Sequence, residues 1–332
     1  MYEILVMSSV LPGAPWLIAH RSMLGINKPY KVRLNNQDYV LWQSSDGQIS
    51  ALENVCPHMQ APLSKGWICE ANNTIACPFH AQKFDGEGRF IEDGNPSRQA
   101  LAKPLELIVQ DDLIWTYGNS AVQIEIPNLI AERTQGFDFL GVSGEVSIKT
   151  DFLTAIKINY DYNHQNGTHR ESFQIQDNPV HSFEENEYYA RVRQTFIRSE
   201  NSLGDVIENP ALLAFPKEID NELEYTFPST TFVKTSMSAG DFAQSFILYP
   251  ESEQSIKTFV LSYARWKSPL FKLPVIGKAL GDTFVKLTDK IVEQDLSTLE
   301  SLYPKEKPKI CLPKEEIMFY AEKLYVEWPK HR

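Results

Sequence analysis

The chain has 332 residues, is 42% apolar and 23% charged, and carries a net charge of −11 at neutral pH. That length suggests two domains with ample core. The acidic balance argues against a nucleic-acid partner, whose phosphates need a basic face, and against docking on anionic lipid. The first 21 residues carry Glu3 and no Lys or Arg before Arg21, unlike a secretory leader. No run approaches the roughly 18 uncharged apolar residues of a membrane span, so none is expected. Cysteine is scarce (Cys56, Cys69, Cys77 and Cys311), which rules out a disulfide scaffold and makes a reducing cytoplasm the expected setting.

From residue 30 to 118 the pattern predicts short strands. Asn35-Asn36 and Asp46-Gly47 are turn signals that split the alternating run from Tyr30 to Leu52. Phe84 to Phe90, FDGEGRF, reads as a tight turn between apolar anchors, and Leu105 to Gly118 as two strands around Asp111-Asp112. This all-β domain ends near Gly118-Asn119-Ser120, giving expected domains of 1–120 and 121–332. The second part mixes classes. Tyr188 to Phe196, Phe242 to Tyr249 and Lys257 to Trp266 are rich in aromatic and β-branched residues and predict strands. Pro269 and Pro274 punctuate the passage to one long helix, Lys278 to Leu302.

Cys56-Pro57-His58 and Cys77-Pro78-Phe79-His80 form the first constellation. Two thiolates and two imidazoles suit zinc or an iron–sulfur centre. A zinc finger groups its ligands as Cys-x-x-Cys and then His-x-x-x-His. Here each loop supplies one Cys and one His, which suits a 2Fe-2S cluster with both cysteines on one iron and both histidines on the other.

The second constellation lies in NYDYNHQNGTHR, which holds Asp161, His164 and His169. On a helix Asp161 and His164 would stand about 60° apart, but His164 and His169 about 140° apart. Both histidines can grip one ion only if the helix ends between them, and Asn166-Gly167 offers that break. In the long C-terminal helix Leu280, Phe284, Leu287 and Ile291 form an apolar stripe that continues at Leu299 and Leu302. Asp295 falls on the stripe, where a carboxylate needs a basic partner or a metal. Asp282 and Asp289 fall off it and read as solvated positions. Two His and one carboxylate are the set that leaves open positions on non-haem Fe(II).

With both constellations in this order, the chain resembles the catalytic subunits of the Rieske non-haem iron oxygenases over nearly its whole length. The motifs that carry the likeness are Cys-x-His with Cys-x-x-His, DYNHQNGTH, and VEQDLSTLE. Gly66 and FDGEG also fit. The chain departs from the pattern in three places. Met59-Gln60 and Ala81-Gln82 stand where many members have Arg-Gly and Gly-Trp, and Lys157-Ile158 stand where many have Glu-Asn, with Asn159 a partial substitute.

The resemblance implies an α+β fold: an N-terminal all-β Rieske domain, then a helix-grip domain of curved antiparallel sheet and long C-terminal helix. It implies a 2Fe-2S cluster on Cys56, His58, Cys77 and His80, and a mononuclear Fe(II) on His164, His169 and Asp295. Asp161 would be the electron-transfer bridge, bonded to a ligand histidine, most simply His164. A ring of three subunits is implied, with the cluster of one subunit facing the iron of the next. So is a ferredoxin or flavin-dependent reductase as electron donor, and O2 with a small organic substrate. Phe232, Phe242, Phe246, Phe259 and Tyr263 are candidate pocket residues, for a substrate expected to be apolar or aromatic. Hydroxylation, demethylation, desaturation and ring closure all fit the same iron. Two readings compete: an electron-transfer or redox-sensing protein with a non-catalytic second domain, and a structural zinc protein using the same ligands.

Overall fold

The structure, a computed structural model, describes residues 10–170, 174–199, 216–237, 240–267, 274–302, 309–310, 312 and 315–328. The expectations for residues 1–9, Pro269 and Cys311 lie outside these. Two compact units emerge. One runs to Ile126 and includes Tyr249–Glu253; the other comprises Pro127–Leu248 and Gln254–Trp328. No described helix is long and apolar enough to cross a membrane.

The first unit is built of short antiparallel strands. They are β1 (Trp16–His20), β2 (Tyr30–Leu34), β3 (Gln37–Gln43), β4 (Ile49–Glu53), β5 (Trp67–Cys69), β6 (Thr74–Ala76), β7 (Lys83–Phe84), β8 (Arg89–Glu92), β9 (Asn95–Ala100), β10 (Ile108–Gln110) and β11 (Leu113–Thr116). They form sheets β1-β11-β10, β2-β3-β4 and β5-β6-β7-β8-β9. The expected turns are present. Asn35 and Asn36 have φ of 49° and 67°, the left-handed pair that a two-residue hairpin between Leu34 and Gln37 requires. Trp42, Leu52, Leu63, Ile75 and Phe84 form a core that also takes in Cys56 and Cys77.

The second unit opens with α1 (Leu129–Arg133), β12 (Asp138–Ile148) and α2 (Phe152–Tyr160), and continues through β13 (Ile175–Asp177), β14 (Val180–Asn186), β15 (Tyr189–Arg198), β16 (Glu218–Thr226), β17 (Thr230–Ser236), β18 (Gly240–Ser252) and β19 (Ser255–Trp266). The helices α3 (Pro274–Ser301) and α4 (Glu316–Glu327) follow. One sheet runs β12-β19-β18-β17-β16-β15-β13, with β14 also on β15. The fold is therefore α+β, a strand-built unit followed by a large antiparallel sheet with one long helix. Bidentate hydrogen bonds at 2.7 Å from Arg133 reach Glu224, which is 2% exposed, and tie α1 to β16.

The long helix bears on β12 at a point where there is no room for a side chain. Gly144 has φ of 59°, and a Cβ there would sit 2.7 Å from Val292 Cγ2. Its N–H donates to Asp289 Oδ1 at 2.7 Å. Asp289 is thus a clamp and not the solvated position expected. The apolar stripe also needs correction at its ends: Ile291 and Leu299 are buried, but Leu280 and Leu302 are 37% and 52% exposed. The row is covered only where the helix lies against neighbouring side chains, and its two ends extend past that cover.

Candidate metal centres

In the first unit the two Cys loops have the same hydrogen-bonded build. Cys56 N donates to Ala61 O and accepts, through its carbonyl, the N–H of Gln60. Cys77 N donates to Gln82 O, and its carbonyl accepts the N–H of Ala81. Each loop therefore closes on itself at the fourth and fifth residue. The fourth, Gln60 or Ala81, is left-handed, with φ of 61° and 55°. These are the positions where glycine was missing from the expected pattern, so this chain holds the same turn with side chains that resist it.

The loops bury both sulfurs and turn both imidazoles outward. Cys56 and Cys77 are each 1% exposed and unbridged. His58 and His80 are exposed, with ring centroids 4.9 Å apart. Burial pushes the Cys56 thiol up, and the neighbouring Cys77 sulfur adds to this. Backbone N–H groups of His58 and Met59 act the other way, pointing at the sulfur as they would at a thiolate. A cation between the two sulfurs would settle that opposition, and paired sulfurs beside paired imidazoles fit a cluster with two unlike irons.

In the second unit the Asp161–His169 segment does not continue the helix. Asp151 caps the start of α2, its Oδ1 accepting Thr154 N–H at 3.0 Å. The helix ends at Tyr160, and His164 begins a separate 3-10 turn, His164–Asn166. Asp161 and His164 therefore do not share a helical face. The link expected between them is also made differently. The backbone carbonyl of Asp161, not its carboxylate, meets His164 Nδ1. The carboxylate accepts the N–H of Asn163 at 2.8 Å.

His164, His169 and Asp295 come together, with one ligand atom of each lying within 4.8 Å of the others. His169 is 1% exposed and is gripped at both nitrogens by neighbouring residues of α3: Nδ1 is 2.9 Å from Gln294 Oε1, and Nε2 is 3.1 Å from Asp295 Oδ1. A carbonyl oxygen only accepts, so Nδ1 of each ring carries the hydrogen, on His169 towards Gln294 and on His164 towards Asp161 O. In the neutral rings both Nε2 atoms then present lone pairs, that of His164 with the Gln165 amide as a long donor at 3.4 Å. They face Asp295 Oδ1, at 3.1 Å from His169 and 3.6 Å from His164, and that oxygen is buried without a hydrogen-bond partner. Three lone pairs converge on one point, and only a proton or a metal ion reconciles them. The proton's pull is visible in His169: burial favours the neutral ring, but Asp295 and Gln294 together hold its pKa above the ordinary value. The donor set, two imidazoles and one carboxylate, fits non-haem Fe(II) with positions left open.

A cavity opens on this point, lined in part by Asn159, Asp161, Thr231 and Phe246. A second shares Gln165, Leu223, Val233, Phe246 and Ile291 with it and so adjoins it. Of the five aromatic candidates only Phe246 lines either cavity. Phe232 and Phe259 are fully buried core, Phe242 stacks on Phe284, and Tyr263 packs on Phe139. The departures at Lys157-Ile158 resolve unequally. Lys157 pairs with Glu322 of α4 at 2.7 Å, whereas Ile158 lines the first cavity. Asn159 donates to Thr231 Oγ1 at 2.6 Å across that cavity's wall. Gln294 and Gln165, whose Nε2 lies 3.4 Å from His164 Nε2, were not singled out in the sequence. Adjacency to ligands is the only signal either offered.

Residues 15–105 match the family described as the Rieske [2Fe-2S] domain. Among curated proteins, the chain is 30% identical over 148 residues to 4beta-methylsterol monooxygenase of Methylococcus capsulatus, covering 41% of this chain and 38% of that one. It is 31% identical over 106 residues to the oxygenase component of dicamba O-demethylase of Stenotrophomonas maltophilia, covering 31% of each. These matches span about a third of the relatives' length. Among solved structures, the crystal structure of dicamba monooxygenase bound to dicamba superposes with a TM-score of 0.76 at 18% identity, over 97% of this chain and 98% of that one. That likeness is one of fold. The chain therefore carries a Rieske [2Fe-2S] domain over residues 15–105 and shares, along its whole length, the fold of dicamba monooxygenase.

Proposed function

We propose that this chain is the oxygenase component of a multicomponent system that oxidises a small, largely apolar molecule with O2. The observation that carries the proposal is the convergence of His164 Nε2, His169 Nε2 and Asp295 Oδ1, with both Nδ1 hydrogens already committed elsewhere. Residues 1–120 would form the cluster-bearing domain and 121–332 the catalytic one. Cys56, His58, Cys77 and His80 would hold the 2Fe-2S cluster, and His164, His169 and Asp295 a mononuclear Fe(II). When bound, these groups supply single-electron storage and dioxygen activation.

The chain's own residues supply position and exclusion. Gln294 Oε1 and the Asp161 carbonyl fix the tautomer of each ring, so that Nε2 presents a lone pair. Leu223, Val233, Leu248 and Ile291 keep the cavity beside the triad apolar and exclude bulk water from it. Asn159 and Thr231 hold each other in place on that wall. Asp161 lines the same cavity, and its carboxylate would be the bridge for electrons arriving from a cluster histidine. The donor would be a ferredoxin or a flavin-dependent reductase, in a reducing cytoplasmic setting, and the working assembly a ring of three chains. Substrates of the relatives, a methylsterol and dicamba among them, set the range of chemistry to try.

The test is oxygen uptake by protein purified under anoxic conditions, given a reductase–ferredoxin pair and a panel of sterols, aryl ethers and polycyclic alcohols. Substrate-dependent uptake with a product carrying one or two atoms from 18O2, or a desaturated or demethylated product, supports the proposal. Reduction of the cluster with no product from any panel member counts against it.

A further inference from the structure

The cavity adjoining the triad cavity is apolar over most of its wall, with Phe196, Ile219, Met237, Phe284 and Leu287 among its lining. Apart from Gln165, Arg198 and Gln244, which donates to Thr288 Oγ1 at 2.6 Å, one row of the sheet breaks that pattern. Gln194 of β15 pairs with Asn221 of β16, and Asn221 with Thr235 of β17. Directly opposed residues of antiparallel strands share a face. Three polar side chains therefore stand abreast, one step along from the apolar row Val192, Leu223 and Val233.

Asn221 and Thr235 line the cavity. Asn221 is 6% exposed; its Nδ2 donates to Thr235 Oγ1 at 3.3 Å, and its Oδ1 is buried with no partner. Gln194, next to Asn221 in that row but outside the cavity's lining, is 1% exposed, and neither its Oε1 nor its Nε2 has a partner. Buried amides are nearly always satisfied, so the unmet Asn221 oxygen on the wall of an apolar cavity marks a place where a ligand completes the bonding. The ladder also gives the distance. Thr231 lines the triad cavity, Val233 both cavities and Thr235 the outer one. Four steps of strand span about 13 Å, longer than a single six-membered ring.

We propose that the two cavities together take an apolar polycyclic alcohol, its hydroxyl seated on Asn221 and Thr235 and its far end at the triad. This rests on the oxygenase reading above for the role of the triad end. A hydroxyl both donates and accepts, so it satisfies the Asn221 amide in either orientation. A carboxylate only accepts and would set a second acceptor against Asn221 Oδ1. Arg198, in the same wall with Nη1 3.3 Å from Pro216 O, makes a carboxylate the competing chemistry that the test must separate.

The test is equilibrium dialysis of the iron-loaded protein against 1-hydroxypyrene, 1-methoxypyrene and pyrene-1-carboxylate. The alcohol should bind at least about tenfold more tightly than the ether. Asn221→Leu should erase that preference while leaving the ether's Kd within about twofold, which also reports an intact cavity. If Asn221→Leu no longer binds the ether, the near-isosteric Thr235→Val is the second variant and should narrow the preference severalfold. Equal binding of alcohol and ether, tighter binding of the carboxylate, no binding of any probe, or an unchanged preference in the variants overturns the proposal. Dialysis needs no turnover. A chain that prefers the alcohol yet oxidises nothing sinks the proposed function and leaves this inference standing, and an active oxygenase indifferent to the hydroxyl does the reverse.

Discussion

The two candidate centres are assembled in opposite ways. Cys56, His58, Cys77 and His80 come from two short loops that repeat the same backbone bonds, each closed within five residues of its cysteine. His164 and His169 come from a turn after α2, and Asp295 from the last third of a helix far along the chain. The first centre depends on local backbone geometry. The second depends on α3 being held against β12 through Gly144 and Asp289, and on a sheet whose register is set by distant pairings. A local centre should tolerate damage elsewhere in the chain, and an assembled one should not.

The largest expected effect isolates electron transfer from metal binding. Asp161→Ala removes the carboxylate but keeps the backbone carbonyl that orients His164. Turnover with a reductase should fall to background while the iron content is unchanged. Iron loss in this variant, or activity retained, would refute the bridging role.

Next is the frame of the second unit. Glu224 is buried against Arg133, which is partly exposed, and Tyr189 OH. Burial pushes the Glu224 pKa up, but hydrogen bonds from Arg133 and Tyr189 more than offset this and hold it below the ordinary range. Arg133→Ala should destabilise that unit by about 3 kcal/mol, since an unpaired charge remains buried while water can reach part of the site. The sign with pH follows from the lowered pKa. The contribution is present above the ordinary glutamate pKa and is lost as pH falls through the lower folded value. In urea at neutral pH, the variant should release triad iron at lower denaturant than wild type, with cluster bleaching unmoved. The gap between the two proteins should close in acid. A cluster that bleaches in step with the triad would break the contrast between the centres.

A smaller effect belongs to the grip on His169. Gln294→Leu removes the acceptor that fixes its tautomer and should weaken iron affinity about 10- to 100-fold, measured by competition with a chelator. Unchanged affinity would mean the ring is oriented by packing alone. Smallest is a gain in the first unit. Ala81 has φ of 55°, so Ala81→Gly should stabilise the cluster loop by about 1 kcal/mol, seen as a raised temperature for cluster bleaching. A lowered temperature would contradict the reading of that turn.

What could be read from the sequence follows the same division. Turn pairs such as Asn35-Asn36 and the Cys and His spacings are local signals, and they placed the hairpins and the cluster loops. The missing glycines at residues 60 and 81 were visible too, but not that the backbone there keeps the glycine conformation. Asp295 was legible because it interrupts an apolar stripe. The end of α2 at Tyr160 was not, because no breaker stands there; the helix stops where the Asp161 carbonyl turns to His164. The cavity was least legible. Whether Phe246 or Phe242 faces it depends on the β17–β18 register and on where α3 lies, and neither is encoded locally.

The central claim is that one chain carries two iron centres built independently. Iron, acid-labile sulfide and the visible spectrum, measured on anoxically purified wild type and on Asp295→Ala, test it directly. The account predicts about three irons and two sulfides in wild type with a Rieske-type spectrum, and about two of each in the variant with the spectrum unchanged. Colourless zinc protein, or a variant that keeps the third iron, would contradict it.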